Sequence, residues 1–326
     1  MKKKMKGLMG ILLAAMMCLT ACGSSAAEFT DEAVLKIDGQ EIMKSEYMVY
    51  LYTTTQSFVA AAGEDVWSMD FDGQTADELV EERTISTLQS VKAAQEYAEA
   101  NGIALTDAQK EEAKAAAEQF VATVDAETLA KMGMDAEKLV PLMEASYLYS
   151  LVYESIAAEC AVDEADMAAY YEEQKDQIKS DYTTYNLATI LLDNADKAEE
   201  AAERAKGGED FGSLFKEFDV DPAAATGEET GETTMYQSYM LENFGLTEPL
   251  EVGEVAGPIQ VDEGRYFILK ALEKTVPTDA EVKQMAETGY KDKIQTEYTE
   301  ARIDEMVKAQ TVEKIEAVWE TLEKFH

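Results

Sequence analysis

Leu187-Ala188-Thr189-Ile190-Leu191-Leu192 and Arg265-Tyr266-Phe267-Ile268-Leu269-Lys270-Ala271-Leu272 are the two runs whose reading decides the fold. Both are short, apolar and bounded by polar residues, which marks them as buried strands. The second follows the turn signal Asp262-Glu263-Gly264. Between the two runs lie two short helical patterns, an Asp221-Pro222 step and a Gly-containing polar loop at residues 226–231. Residues 185–274 therefore read as a compact α+β unit, and the long helical patterns on either side of it read as a frame that carries it.

Working outward, Ala33-Val34-Leu35-Lys36-Ile37, Asp38-Gly39 and Gln40-Glu41-Ile42-Met43 spell a hairpin with a two-residue turn. Residues 45–62 follow as a helix with Tyr47, Met48, Leu51, Tyr52, Phe58 and Val59 as its apolar positions. Thr75-x-x-Glu78 is a capping box that starts the next helix, and Asn101-Gly102 stops it. Thr106-x-x-Gln109 starts a third helix, and Asp135 a longer one expected to bend near Pro141. Asp163 opens a capped helix that carries the paired tyrosines Tyr170-Tyr171 before Glu172-Glu173. Thr278-x-x-Glu281 caps a final region that reads as helical to Phe325.

The chain of 326 residues is 46% hydrophobic and 29% charged, enough apolar material for real cores in a soluble body. The formal net charge is −38, although the first 21 residues hold four lysines and no acid. A body this acidic repels nucleic acid and anionic lipid headgroups. The single histidine is His326, which leaves little room for triad, histidine-metal or imidazole acid–base chemistry. Asp219, Asp221, Glu228, Glu229 and Glu232 cluster in sequence without the spacing of a calcium loop, so no metal is expected there.

At the start, Lys2, Lys3, Lys4 and Lys6 precede an apolar run at residues 7–19, the pattern of a secretory signal. Leu19-Thr20-Ala21-Cys22 ends it and resembles the lipobox of bacterial lipoproteins. That resemblance implies that Cys22 is lipidated and becomes the first residue of a membrane-anchored, extracytoplasmic protein. Cys18 would leave with the signal, so Cys160 alone would remain as a free thiol, and no disulfide could form within the mature chain.

The central unit resembles the parvulin (PpiC, rotamase) domain of PrsA-like and SurA-like foldases. Lys206-Gly207-Gly208-Glu209-Asp210-Phe211 stands close to the family's Gly-Glu-Asp-Phe signature. Val252-Gly253-Glu254-Val255-Ala256-Gly257-Pro258-Ile259 matches its Gly-Glu-Val-x-x-Pro-Val signature, and Gly264-Arg265-Tyr266-Phe267-Ile268-Leu269 lies over its Gly-Tyr-His-Ile-Ile ending. The resemblance implies a small antiparallel sheet flanked by helices, inserted in a helical chaperone domain. It divides the chain into a signal peptide (1–21), an anchored tether (22–32), an N-terminal helical chaperone segment (33–182), the parvulin-like domain (183–275) and a C-terminal helix completing the chaperone domain (276–326).

The implied activity is peptidyl-prolyl cis–trans isomerisation, with unfolded exported polypeptides as partners. The barrier of about 18–20 kcal/mol comes from the partial double bond of the amide and calls for no cofactor or metal. It calls for an apolar pocket around the proline ring and hydrogen bonds that favour the twisted amide. By the resemblance, Met240 and Phe244 are the substrate-binding pocket residues. Asp221 stands at the family's Asp or Cys position, and Thr189 and Tyr266 stand where the family has its two catalytic histidines. Two other readings stay open: a chaperone that holds clients without turnover, and a solute-binding lipoprotein. The second would need two α/β lobes, whereas only one strand-rich unit is legible.

Overall fold

The computed structural model describes residues 29–220 and 231–326, which form two compact units. The first combines residues up to Ala161 with Ile294–His326, and the second is Val162–Lys293. The fold is α+β, mostly helical with small antiparallel sheets.

In chain order, β1 (Ala33–Ile37) and β2 (Gln40–Met43) form the hairpin, with Asp38 and Gly39 at positive φ in its turn. α1 (Lys44–Ala62) follows, then β3 (Asp70–Phe71) and β4 (Gln74–Thr75), a small hairpin that the sequence reading did not include. α2 (Ala76–Asn101) starts on the reciprocal capping box of Thr75 and Glu78 and ends at Gly102 in the left-handed region. α3 (Asp107–Thr123) starts on the equivalent box of Thr106 and Gln109. After α4 (Ala126–Met132), α5 (Ala136–Glu159) runs on through Pro141. Leu35, Ile37, Ile42, Tyr47, Met48, Leu88 and Leu139 come together from these elements in a buried core.

The second unit opens with α6 (Glu164–Asp181), capped by the Asp163 carboxylate. β5 (Thr184–Leu192), α7 (Ala195–Lys206), α8 (Phe211–Phe218), β6 (Glu232–Tyr236), α9 (Gln237–Phe244), β7 (Val255–Asp262) and β8 (Arg265–Thr275) follow. The four strands form one antiparallel sheet in the order β6-β5-β8-β7. One face of it carries Ala188, Ile190, Leu192 and Ile268 against α7 and α8, through Ala198, Ala201, Leu214 and Phe215. The other carries Tyr185, Leu187, Leu269 and Ala271 against Met240 of α9 and against Leu250. Arg204 ties α7 to α8 by salt bridges to Glu209 at 2.7 Å and Glu217 at 2.8 Å. Hydrogen bonds from that guanidinium hold both carboxyls below their usual range.

α10 (Asp279–Ala309) starts on the capping box of Thr278 and Glu281, and the chain then departs from the expected helix to Phe325. Helix gives way to β9 (Val312–Lys314), which pairs antiparallel with β1, and to the short α11 (Glu316–Trp319). Asp38 explains the break. Its carboxylate accepts from the Thr311 backbone N–H at 2.8 Å and hydroxyl at 3.0 Å, and its own N–H donates to Thr311 O at 2.9 Å. Those bonds give the backbone a partner that further helix would not.

The last residues close over the first unit's core. Trp319 meets Tyr47 edge-on at 5.0 Å, and Phe325 meets Tyr52 edge-on at 5.2 Å. His326 stacks on Trp67 at 3.9 Å, and its Nε2 lies 2.7 Å from Asp77 Oδ1. Burial pushes the Asp77 carboxyl up, but hydrogen bonds from Lys324 and His326 outweigh it and leave it below its ordinary value. A depressed carboxyl stabilises the fold above its unfolded pKa, and that stability is lost as pH falls through the folded value. Asp77→Asn should therefore lower the thermal midpoint at neutral pH. The gap between variant and wild type should close as pH drops below about 4. Parallel thermal melts over that range check it, and a gap independent of pH would contradict the ion-paired role.

Candidate active site on the sheet face under α9

Direct opposition across β5 and β8 assigns each site residue to a face. Thr189 pairs with Leu269, Leu191 with Phe267, and Leu192 with Tyr266. Opposed residues share a face and successive residues alternate. Thr189, Leu191, Phe267 and Leu269 therefore line the face that α9 covers, together with Met240 and Phe244. Met240 is fully buried there, and Phe244 meets Phe267 edge-on at 5.4 Å. Thr189, Leu191, Phe244 and Phe267 are half-buried. The result is a partly exposed apolar surface that includes the Thr189 side chain.

Tyr266 is not part of this surface. It stands across from Leu192 and packs with the core under α7 and α8, on the opposite face from Thr189. The expectation that Thr189 and Tyr266 share one site is thus corrected by the strand register, and Phe267 is the β8 residue that stands on the Thr189 face. The sequence could not show this, because Tyr266-Phe267-Ile268-Leu269 is apolar throughout. A strand buried on both faces carries no alternation to read.

The Thr189 hydroxyl donates to Gly231 O at 2.9 Å. Gly231 has φ +61°, and a Cβ there would lie 2.5 Å from Thr189 O, so glycine is required by both backbone and space. On the far side of Thr189, the Leu191 N–H donates to Asp219 Oδ2 at 2.8 Å, and the Val220 N–H donates to Leu191 O at 2.9 Å. Asp219, not among the expected site residues, is the carboxylate that fastens the end of α8 to β5. Asp221, and Cys22 at the other end of the chain, lie outside the described residues. Tyr185 seals the inner end of this face by donating to Leu250 O at 2.8 Å. Among the described residues no cluster of histidine, cysteine or carboxylate side chains is arranged to hold a metal ion.

Residues 162–286 match the family model of the PPIC-type PPIase domain. Over 300 residues the chain is 25% identical to the foldase protein PrsA of Caldanaerobacter subterraneus subsp. tengcongensis, covering 91% of each chain. Over 127 residues it is 34% identical to the chaperone SurA of a Polaromonas species, covering 35% of this chain and 26% of that one. Among solved structures, the foldase protein PrsA of Streptococcus pneumoniae is 19% identical with a TM-score of 0.41, over 74% of this chain and 92% of that one. The second unit thus carries a parvulin-type, PPIC domain. In sequence the chain is similar to that PrsA foldase along nearly its full length, and to the SurA chaperone over about a third of it.

Proposed function

We propose that this protein is an extracytoplasmic foldase, anchored through a lipid on Cys22, that holds exported polypeptides before they fold. In this reading the helical unit made of the N- and C-terminal segments is the chaperone body. The parvulin-type unit contributes an apolar face for prolyl segments, and its turnover is slow.

The observation that carries the reading is the composition of that face. Phe244 and Phe267, half-buried and backed by the fully buried Met240, supply a hydrophobic surface suited to a proline ring, yet residues 162–293 contain no histidine. Favouring the twisted amide requires hydrogen bonds aimed at where its charge shifts. The Thr189 hydroxyl already donates to Gly231 O, and Phe267 offers no polar atom. Asp221 is the remaining candidate polar group by resemblance to the parvulins, with Thr189 in place of one of their histidines. Binding therefore outlasts catalysis.

Two measurements test the whole. Full-length protein should suppress the aggregation of a chemically denatured, proline-containing client at near-stoichiometric ratios, and Asp221→Ala should leave that suppression unchanged. No suppression by the wild type would remove the foldase reading. Cys22→Ser expressed with the native signal should move the protein from the membrane fraction to the soluble extracytoplasmic fraction. If the variant stays with the membrane, lipid anchoring at Cys22 is wrong.

A further inference from the structure

The second unit has another surface, distinct from the sheet face under α9. A cavity of about 430 Å³ opens between Tyr182, at the C-terminal end of α6, and one side of α10. Glu281, Met285, Thr288, Gly289 and Asp292 line it. Tyr182 is 49% exposed and meets Tyr236, itself 52% exposed, edge-on at 6.3 Å. Tyr239, in the first turn of α9, is 56% exposed. Tyr182 and Tyr236 extend the cavity into an aromatic surface. Large apolar side chains left in water at this density mark contact surfaces.

Gly289 sharpens the reading. It lies in the interior of α10, where glycine is less favourable than alanine, yet a Cβ placed on it would meet no atom within 4 Å. Its backbone is not in the left-handed region, so neither packing nor φ demands a glycine. What the missing side chain does leave is depth in the groove.

We propose that this groove binds extended segments of non-native polypeptide that combine aromatic side chains with lysine or arginine. The inference rests on the foldase reading and adds a second contact for the client. Tyrosine rings take aromatic groups edge-on and cations over their faces, and Met285 adapts its shape to either. The charges in the lining are both acidic, Glu281 and Asp292, and the neighbouring Lys179 is already paired with Asp279 at 2.9 Å. A second copy of this chain, at net charge −38, would be repelled, as would an anionic lipid surface.

The test uses the full-length protein and a fluorescent, unstructured probe of alternating phenylalanine and arginine with glycine spacers. The probe contains no proline, so the face under α9 is not its target. A matched probe carries glutamate in place of arginine. Fluorescence anisotropy should show binding of the arginine probe, weakened by added salt, and none of the glutamate probe. Gly289→Leu, whose Cβ meets no atom within 4 Å and whose longer side chain enters the groove, should weaken binding by about tenfold or more, as should Tyr182→Ser combined with Tyr236→Ser. Gly289→Ala should bind as wild type and melt no lower, which separates groove filling from misfolding. Equal binding by wild type and Gly289→Leu, or by both probes, overturns the proposal. So does a change in self-association as the only effect of Gly289→Leu. If wild type still suppresses client aggregation in that case, the groove assignment alone has failed. If it suppresses none, the foldase reading has failed with it.

Discussion

Met240→Ala should lower the stability of the parvulin-type unit by about 2–5 kcal/mol, the usual cost of emptying a buried methionine site. Met240 is fully buried between α9 and the sheet, against Tyr185, Leu187, Leu269 and Ala271. No other apolar side chain of α9 is fully buried: Leu241 and Phe244 pack only at the margin of that core. Losing it frees α9, and with α9 goes the wall that keeps Phe244 against Phe267. Both tryptophans, Trp67 and Trp319, belong to the other unit. Hydrogen exchange resolved by peptide should therefore show faster opening across residues 184–275, while the tryptophan-monitored transition keeps its midpoint. Unchanged protection of β5 and β8 would mean that α9 does not hold this face.

The second large effect is a gain. Thr189→His with Phe267→His should raise prolyl isomerisation by at least about tenfold, the factor that roughly 1.4 kcal/mol of added transition-state stabilisation gives. Thr189 and Phe267 stand on the same sheet face, so two imidazoles there can hydrogen-bond to one amide or to each other. Tyr266→His is the matched control, because it puts the same ring on the face under α7 and α8 and should add nothing. A gain from Tyr266→His equal to that of the double variant would contradict the facing derived from the β5–β8 register.

Those substitutions also mark where sequence reasoning reaches. The capping boxes at Thr75 and Thr106, the Asp38-Gly39 turn and the stop at Gly102 were legible because each is settled within a few neighbouring residues. Met240 and Phe244 could be placed together because four-residue spacing puts them on one side of any helix. β9 was not legible. Three residues of strand exist there because β1 and the Asp38 carboxylate, far away in sequence, offer partners. The site failed at one point for a related reason. Which of Tyr266 and Phe267 faces Thr189 depends on strand register, and an unbroken apolar run hides register. Asp219 was passed over because its role is to receive a backbone N–H from β5, a contact that no local motif announces.

The central claim is that the parvulin-type unit binds prolyl segments and turns them over slowly. Exchange NMR on a short peptide with one Xaa-Pro bond tests it most directly, because line positions report binding and cross-peaks report cis–trans exchange in one sample. With the full-length wild type, the peptide resonances should shift on binding while the exchange rate stays close to that of free peptide. The Thr189→His, Phe267→His variant should exchange the bound peptide faster. Wild-type exchange as fast as that of the double variant would contradict the account, and so would the absence of any peptide shift.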